Sequence, residues 1–139
     1  MAAAGDTVGA LRRTEQALVA RPKDAQLRFA KGVFLADLKR DAEAFSVFTA
    51  LSEDYPELPD PLNNLAVIHA AHGRLDEARV TLEAALRNDA QHRHARENLA
   101  DVYLRLAMRL WQGLVATAPA DAALARKLRL GRDLLQPTN

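Results

Sequence analysis

Residues Asn63–Leu86 read NNLAVIHAAHGRLDEARVTLEAAL, and their pattern sets the register of the whole chain. Two apolar runs at helical spacing lie on either side of Gly73, and Asp76-Glu77 is typical of the start of a helix. Three series of residues repeat at intervals of 34: Ala10, Ala44 and Ala78; Gly32, Ala66 and Ala100; Pro22 and Pro56. A fixed period of this length predicts an array of stacked supersecondary units.

The composition is compatible with such an array and excludes several other classes of protein. Hydrophobic residues make up 49% of the 139 residues, which is enough to form a core, and the net charge is +1. So balanced a charge gives no argument for nucleic-acid binding. The chain has no cysteine, which excludes disulfides and cysteine-based metal sites. Because no apolar run approaches the ~18–20 residues of a membrane span, we expect no membrane insertion.

The charges are distributed unevenly along the chain. Residues 41–104 carry twelve acidic against five basic residues, whereas residues 105–139 carry six basic against two acidic residues. An array with this pattern has a mild dipole along its length, and the ordinary role of such charges is solubility.

Helix breakers and capping residues predict the boundaries of seven helices. We expect these at about 11–20, 25–38, 42–51, 62–72, 75–86, 94–117 and 121–135. Four predicted N-caps are Asp24, Asp41, Asp60 and Asp121, and Gly73 is expected to end its helix in a left-handed conformation. Gly5-Asp6 lies in register with Gly73-Arg74, which predicts a turn there. The first unit would then supply only its second helix, the first helix having been trimmed or coming from a neighbour.

The order of small and large residues resembles the tetratricopeptide repeat (TPR). The central unit matches through Leu62, Leu65-Ala66, Gly73, Asp76-Glu77-Ala78, Leu82 and Ala85-Leu86; the preceding unit matches through Gly32, Ala44, Phe48 and Pro56; the partial first unit matches through Gly5, Ala10, Ala17-Leu18 and Pro22. The resemblance covers residues 5–103 and implies an all-α fold, a right-handed superhelix of antiparallel helix pairs with a C-terminal capping helix. Small residues at the repeating positions would let paired helices approach closely.

In this register the chain forms one TPR-like domain over residues 1–139. Its units are a half repeat (5–24), two full repeats (25–58 and 59–92), a shortened repeat (93–120) and a capping helix (121–136).

The shortened repeat lacks the residues that should contain its turn. Ala107 takes the role of the marker alanine only 29 residues after Ala78, so five residues are missing. One apolar seam continues through the segment: Leu99, Tyr103, Leu106, Leu110 and Leu114. We predict that its two helices fuse into one over residues 94–117; the alternative is a tight turn near Leu106–Met108.

The last helix has an apolar side formed by Leu124, Leu128 and Leu135, and a basic side formed by Arg126, Lys127, Arg129 and Arg132. A final helix with one solvated face suits the cap of a repeat array. The alternative for a basic amphipathic helix is contact with an anionic membrane surface.

Motifs for catalysis and cofactor binding are missing from the sequence. It has no Gly-rich phosphate loop, nucleophile elbow or His-Glu-x-x-His pair, and we expect neither enzymatic activity nor a cofactor. The histidines His69, His72, His92 and His94 are the only candidates for a metal site. We expect His69 to be a core residue and the others to lie near helix ends, so no metal site is predicted.

The resemblance implies that the first helix of each pair lines a concave groove that binds a protein or peptide. The corresponding residues are Phe29, Val33, Ala36, Asn63, Asn64, Val67, Ala71, His94, Asn98, Asp101 and Arg105. Asparagine amides can both donate to and accept from a peptide backbone. The clamp for a C-terminal carboxylate that some relatives carry is not predicted, because only Asn64 matches it.

Trp111, the only tryptophan, has two interpretations. It is either a core residue of the shortened unit or, with Leu110 and Leu114, part of a surface for self-association, since aromatic anchors are typical of interface centres.

Two functions from different classes follow. The first is a non-catalytic scaffold that binds a peptide in the groove. The second is a structural role as a homo-oligomer, formed through the Trp111 segment or the open N-terminal helix. A third option is a regulatory segment of a larger enzyme. The register also resembles, more loosely, small exported TPR proteins of Gram-negative bacteria; this implies a periplasmic location with the leader removed, and a cytoplasmic location is the alternative.

Overall fold

The computed structural model describes residues 4–136, which form seven α-helices and no strand. The helices are α1 Ala4–Ala20, α2 Ala25–Asp37, α3 Asp41–Asp54, α4 Pro59–Ala71, α5 Leu75–Asn88, α6 Arg93–Thr117 and α7 Ala122–Leu135. Each helix packs against the next one along the chain, and α4 also contacts α6. The architecture is an all-α helical-repeat array of the TPR type.

Two hydrophobic clusters form the core of the array. One joins α1 to α4 through Leu11, Leu35, Ala44, Phe48, Leu65 and Ile68. The other joins α4 to α6 through Ala66, Ala78, Leu82, Ala85, Ala95, Leu99 and Val102. The core is therefore continuous along the stack, because α4 contributes to both clusters.

The small residues of the repeat allow close packing, as the sequence predicts. A Cβ atom added to Gly32 would lie 2.5 Å from Cε1 of Phe48, and both Ala44 and Ala78 are 0% exposed. Ala100 breaks the series because it is exposed. The reason is that α6 does not turn back at this point, so no antiparallel helix covers the alanine.

Two of the four predicted N-caps are confirmed. The Asp24 carboxylate accepts a hydrogen bond from the backbone N–H of Leu27 at 3.0 Å. The Asp121 carboxylate accepts from the N–H groups of Ala123 and Leu124 at 3.0 and 3.1 Å. These bonds satisfy donors that have no partner within the first turn of α2 or α7.

The predictions that Asp41 and Asp60 cap helices are wrong. The N-caps of α3 and α4 are Arg40 and Leu58, and neither makes a side-chain cap. Asp41 and Asp60 lie inside the first turns, where a carboxylate is still favoured by the helix dipole. Each bonds a histidine of a later segment: Asp41 contacts Nε2 of His72 at 3.0 Å, and Asp60 contacts Nε2 of His92 at 2.5 Å.

Gly73 ends α4 as predicted. Its φ is 76°, and its N–H donates to the carbonyl of Ala70 while the N–H of Arg74 donates to that of His69. This pair of bonds is the Schellman motif, in which a left-handed residue satisfies the last carbonyls of a helix.

The predicted turn at Gly5-Asp6 is wrong, because both residues lie within α1. The sequence register suggested a turn, yet the segment contains no proline, and an acidic residue in a first turn interacts favourably with the helix dipole.

A single helix spans the shortened unit, and Leu106–Met108 lies inside it rather than in a turn. After α6 the chain turns at residues 118–121, and α7 packs back against the C-terminal half of α6. Gly131 makes this approach possible, since a Cβ atom added there would lie 2.8 Å from the sulfur of Met108. Within residues 4–136, no helix combines the length and the apolar character that crossing a bilayer requires.

Candidate functional site

A cleft of about 210 Å³ lies between α4 and α6. It is lined by Ala66, Val67, Ala70, Ala71, Leu82, Asn98, Asp101, Val102 and Arg105. Buried Ala66, Leu82 and Val102 give it an apolar floor, and the polar residues come from α6 alone. The cleft thus combines an apolar base of mostly small residues with a polar rim on one side.

A second and wider cleft of about 500 Å³ lies on the other side of α4. It is lined by Ala4, Thr7, Ala36, Asp37, Leu38, Lys39, Asp41, Val67, Ile68 and Ala71. Val67 and Ala71 line both clefts, so the two are neighbours across a single helix. We call the two clefts together, on α2, α4 and α6, the groove.

Asparagine side chains join α4 and α6 beside the groove. Nδ2 of Asn98 donates to Oδ1 of Asn63 at 2.9 Å, and Nδ2 of Asn63 donates to Oδ1 of Asn64 at 3.3 Å. Asn63 is 7% exposed, so its amide holds two helices together. Among the three, Asn98 lines the first cleft directly.

Asp101 and Arg105 form the charged rim of the first cleft. They lie four residues apart on α6 and both are exposed. Within residues 4–136 neither side chain makes a hydrogen bond or an ion pair with another residue. Both charges are consequently available to a ligand at the edge of the cleft.

Several residues predicted for the groove have other surroundings. The ring of Phe29 lies 5.7 Å from that of Phe48, and Phe29 and Val33 pack against the first core cluster. His94 is exposed in the first turn of α6 and lines neither cleft. Ala36 lines the wider cleft, but the contacts of Phe29 and Val33 are mainly with the core.

The structure adds lining residues that sequence reasoning did not select. Leu82 and Val102 reach the cleft from the second layer and from the buried side of α6. Ala4 and Thr7 reach the wider cleft because α1 begins earlier than its periodicity predicts. Ala4 and Thr7 could have been identified only by predicting that α1 begins at Ala4.

An exposed polar contact outside the two clefts joins α5 and α6. The hydroxyl of Tyr103 donates to Glu83 Oε1 at 2.9 Å, and Arg79 lies 3.3 Å from the same carboxylate. The hydrogen bond from Tyr103 lowers the pKa of Glu83 and raises the pKa of Tyr103. Both shifts favour the ionised carboxylate as the acceptor of this contact between α5 and α6.

The four histidines do not converge on one site, although the rings of His92 and His94 lie 6.3 Å apart. His69 packs edge-on against Phe45 and accepts a hydrogen bond from Nε of Arg74 at 2.9 Å, whereas His72 contacts Asp41. His92 caps α6 through Nδ1, which accepts from the N–H of Ala95. Within the described part of the chain, no group of three or more His, Cys, Asp or Glu residues is arranged to hold a metal ion.

The residues proposed for self-association lie on the C-terminal half of α6. Trp111 is half-buried, with Nζ of Lys127 at 5.8 Å from the centroid of its ring. Leu110 and Leu114 are 71% and 52% exposed. This segment is thus separate from the groove and has its own apolar surface.

Comparison with solved structures agrees with the fold. Thirty-five chains match, and one belongs to the structure of Naa15/Naa10 bound to HypK-THB, with a TM-score of 0.62 and 16% sequence identity. The match covers 89% of this chain and 19% of that chain, so the protein spans about a fifth of its structural neighbour. At this level of identity the likeness is one of fold. No curated protein matches the sequence.

The part of the chain from α2 to the middle of α6 matches a known protein family. A family model described as the coatomer epsilon subunit matches residues 26–107, more than half of the chain. The matched segment contains α3, α4 and α5, all of α2 but its first residue, and every residue that lines the α4–α6 cleft. The protein belongs to the coatomer epsilon subunit family.

Proposed function

We propose that the protein is a non-catalytic scaffold that binds an extended or helical peptide segment of another protein in the groove. The observation that carries this proposal is the pair of neighbouring clefts that share Val67 and Ala71. Two clefts side by side over three helices offer enough surface to contact several successive side chains of a peptide.

The chemistry of the lining indicates the class of ligand. The mostly small, apolar floor accepts a short apolar side chain, and Asn98 can bond a peptide amide. Asp101 and Arg105 supply one charge of each sign at the rim, which favours a polar or zwitterionic sequence beside the apolar residue. The structural neighbour is an assembly with a bound protein partner, which is in keeping with a binding role.

A peptide library displayed on phage tests this proposal without a known partner. Peptides enriched on the intact protein are then measured against Val67→Arg, which places a long cation in both clefts. Val80→Arg is the matched control, because Val80 is 54% exposed on α5 and lines neither cleft, whereas Val67 is 48% exposed. We expect Val67→Arg alone to weaken binding by about tenfold or more.

Equal affinity of both folded variants for the enriched peptides would exclude the groove as the binding site. Failure to enrich any peptide would argue against a peptide-binding scaffold. A periplasmic location, suggested by the looser resemblance to exported bacterial TPR proteins, stays a prediction.

A further inference from the structure

The α6–α7 hairpin has an apolar face outside the groove, which we call the terminal face. It consists of Leu110, Trp111, Leu114, Lys127, Leu130 and Leu134. The four leucines are 71%, 52%, 50% and 75% exposed in this order. No helix within residues 4–136 covers them, although α6 and α7 pack against each other and Leu128 and Gly131 of α7 are buried.

The contact between Lys127 and Trp111 shows that these residues share one side of the hairpin. Since Nζ of Lys127 lies over the Trp111 ring, the side of α7 with Lys127 is also the side of α6 with Trp111. Leu130 and Leu134 follow Lys127 by three and seven residues, so they lie on that side of α7. On α6, Leu114 comes three residues after Trp111 and four residues after Leu110. These spacings place both leucines on the same side of the helix as Trp111.

We propose that the terminal face docks an amphipathic helix of a partner protein, with acidic residues flanking the apolar stripe of that helix. The array itself contains the same kind of packing. The helix pair α4–α5 receives α6, which buries Ala95, Leu99 and Val102 in the cluster formed with Ala78 and Leu82. The terminal hairpin offers the same arrangement of two antiparallel helices with an apolar face, and a third helix can lie on it.

The charge of the hairpin selects an acidic occupant. Residues 105–136 carry six basic residues and only two acidic ones, and one of these, Asp121, caps α7. Lys127 is the charged residue within the face itself and makes no ion pair with residues 4–136. A glutamate or aspartate on the partner helix can pair with it when the surrounding leucines become desolvated.

The same charges disfavour two other occupants. A second copy of this hairpin would bring Lys127 and its basic neighbours against their own counterparts, which is repulsive. A lipid surface would be favoured by cations around the rim of the face. Arg129 and Arg132 instead lie on the opposite side of α7, about 200° and 140° around the helix from Lys127. Arg126, four residues before Leu130, is the basic residue of α7 at the rim, and the acidic Asp133 lies on the same edge about two turns later.

The experiment uses Trp111 as its reporter, because it is the only tryptophan and lies in the face. The intact protein is titrated with a helical peptide of about 18 residues that has a leucine stripe flanked by glutamates, and with the same peptide carrying lysines instead. We expect a Trp111 emission shift with the glutamate peptide, at an affinity about tenfold or more above that of the lysine peptide.

Two variants and one control locate the site. Leu110→Gln with Leu130→Gln should weaken binding of the glutamate peptide about tenfold, and Lys127→Glu should reverse the preference between the two peptides. Val80→Gln is the control, because Val80 is an exposed apolar residue of α5 outside the terminal face. All variants are compared by circular dichroism, so that a loss of binding is counted only for folded protein.

Equal binding of both peptides, or no change in Trp111 emission with either of them, would overturn the proposal. A mass that rises with protein concentration in sedimentation without peptide would overturn it by showing that a second copy occupies the face. A Trp111 emission shift with vesicles of anionic lipid, measured without peptide, would overturn it by showing that a membrane does. Reversal by Lys127→Glu together with the unchanged Val80→Gln control would establish the acidic helix as the occupant.

Discussion

Lys39 and Gly73, which are 34 residues apart, end α2 and α4 with the same left-handed backbone, at φ of 60° and 76°. Both make the same pair of hydrogen bonds: the N–H of Lys39 donates to the carbonyl of Ala36 and that of Arg40 to Leu35, as in the Gly73 turn. A residue with a Cβ atom is strained in this conformation, whereas glycine adopts it freely. The first turn is consequently the weaker of two equivalent turns.

Replacing Lys39 by glycine should stabilise the protein. We expect Lys39→Gly to raise the free energy of unfolding by about 0.5–1 kcal/mol, because the strain at φ 60° is relieved. Gly73→Lys introduces the same strain at the equivalent turn and should lower the free energy of unfolding by about 1 kcal/mol. Urea denaturation followed by circular dichroism measures both changes. A destabilised Lys39→Gly variant would contradict this interpretation.

The same register explains why the shortened unit has no turn. The residue 34 positions after Gly73 is Ala107, which lies within α6. Alanine is the best helix former and does not favour a left-handed conformation, so the helix continues. The two full repeats and the continuous α6 followed from periodicity and missing breakers. The position of α7 along α6 did not, because it depends on the contact between Gly131 and Met108.

Two glycine-to-alanine substitutions should change stability in opposite directions. A Cβ atom at Gly113 meets nothing within 4 Å, so Gly113→Ala in the helix interior should stabilise by about 0.5–1 kcal/mol. At Gly32 the new atom would lie 2.5 Å from the Phe48 ring, and Gly32→Ala should destabilise by about 1–3 kcal/mol. Thermal and urea denaturation of the pair test this. A stable Gly32→Ala variant would mean that α2 and α3 can move apart at little cost.

The hydrogen bond between Asn98 and Asn63 should couple α6 to α4. Asn63→Ala removes a buried amide and should destabilise by about 1–2 kcal/mol. A double-mutant cycle with Asn98→Ala should give an interaction energy of about 0.5–1.5 kcal/mol. Gln112→Ala, at an exposed position of α6, is the control and should change little. Additive effects of the two asparagine variants would show that the 2.9 Å contact contributes nothing.

Some of the residues that line the two clefts could be selected from the helix register of the sequence. Val67, Ala71, Asn98, Asp101 and Arg105 follow from helix register, since they repeat on one face of α4 or α6. Register could not show whether a residue on that face contacts a ligand or a neighbouring helix, which depends on how far apart the helices lie.

That distance decides the surroundings of two residues that register had placed in the groove. Asn63 is buried in an inter-helix hydrogen bond, and Phe29 packs on Phe48. The contact between Lys127 and Trp111 could not be predicted from the sequence either. It joins two helices, and their relative position does not follow from the pattern of residues within either helix.

Acidification should destabilise the protein through His69. Burial, and then the positive charge of Arg74, lower the pKa of His69 below its ordinary value, while Glu77 opposes the shift. The folded state therefore binds a proton less readily than the unfolded state, in which histidine titrates near about 6.5. The neutral ring contributes stability that is fully present above that pH and is lost as the pH falls towards the lowered pKa.

His69→Gln isolates this effect, because glutamine can still accept the hydrogen bond from Arg74 but cannot titrate. Urea denaturation of both proteins at several values between about pH 5 and 7.5 gives the free energy of unfolding at each pH. We expect the wild type to lose more stability on acidification than His69→Gln does. All other residues are the same in both proteins, so the difference between the two profiles reports on residue 69. Parallel pH profiles would contradict the lowered pKa of His69 in the folded protein.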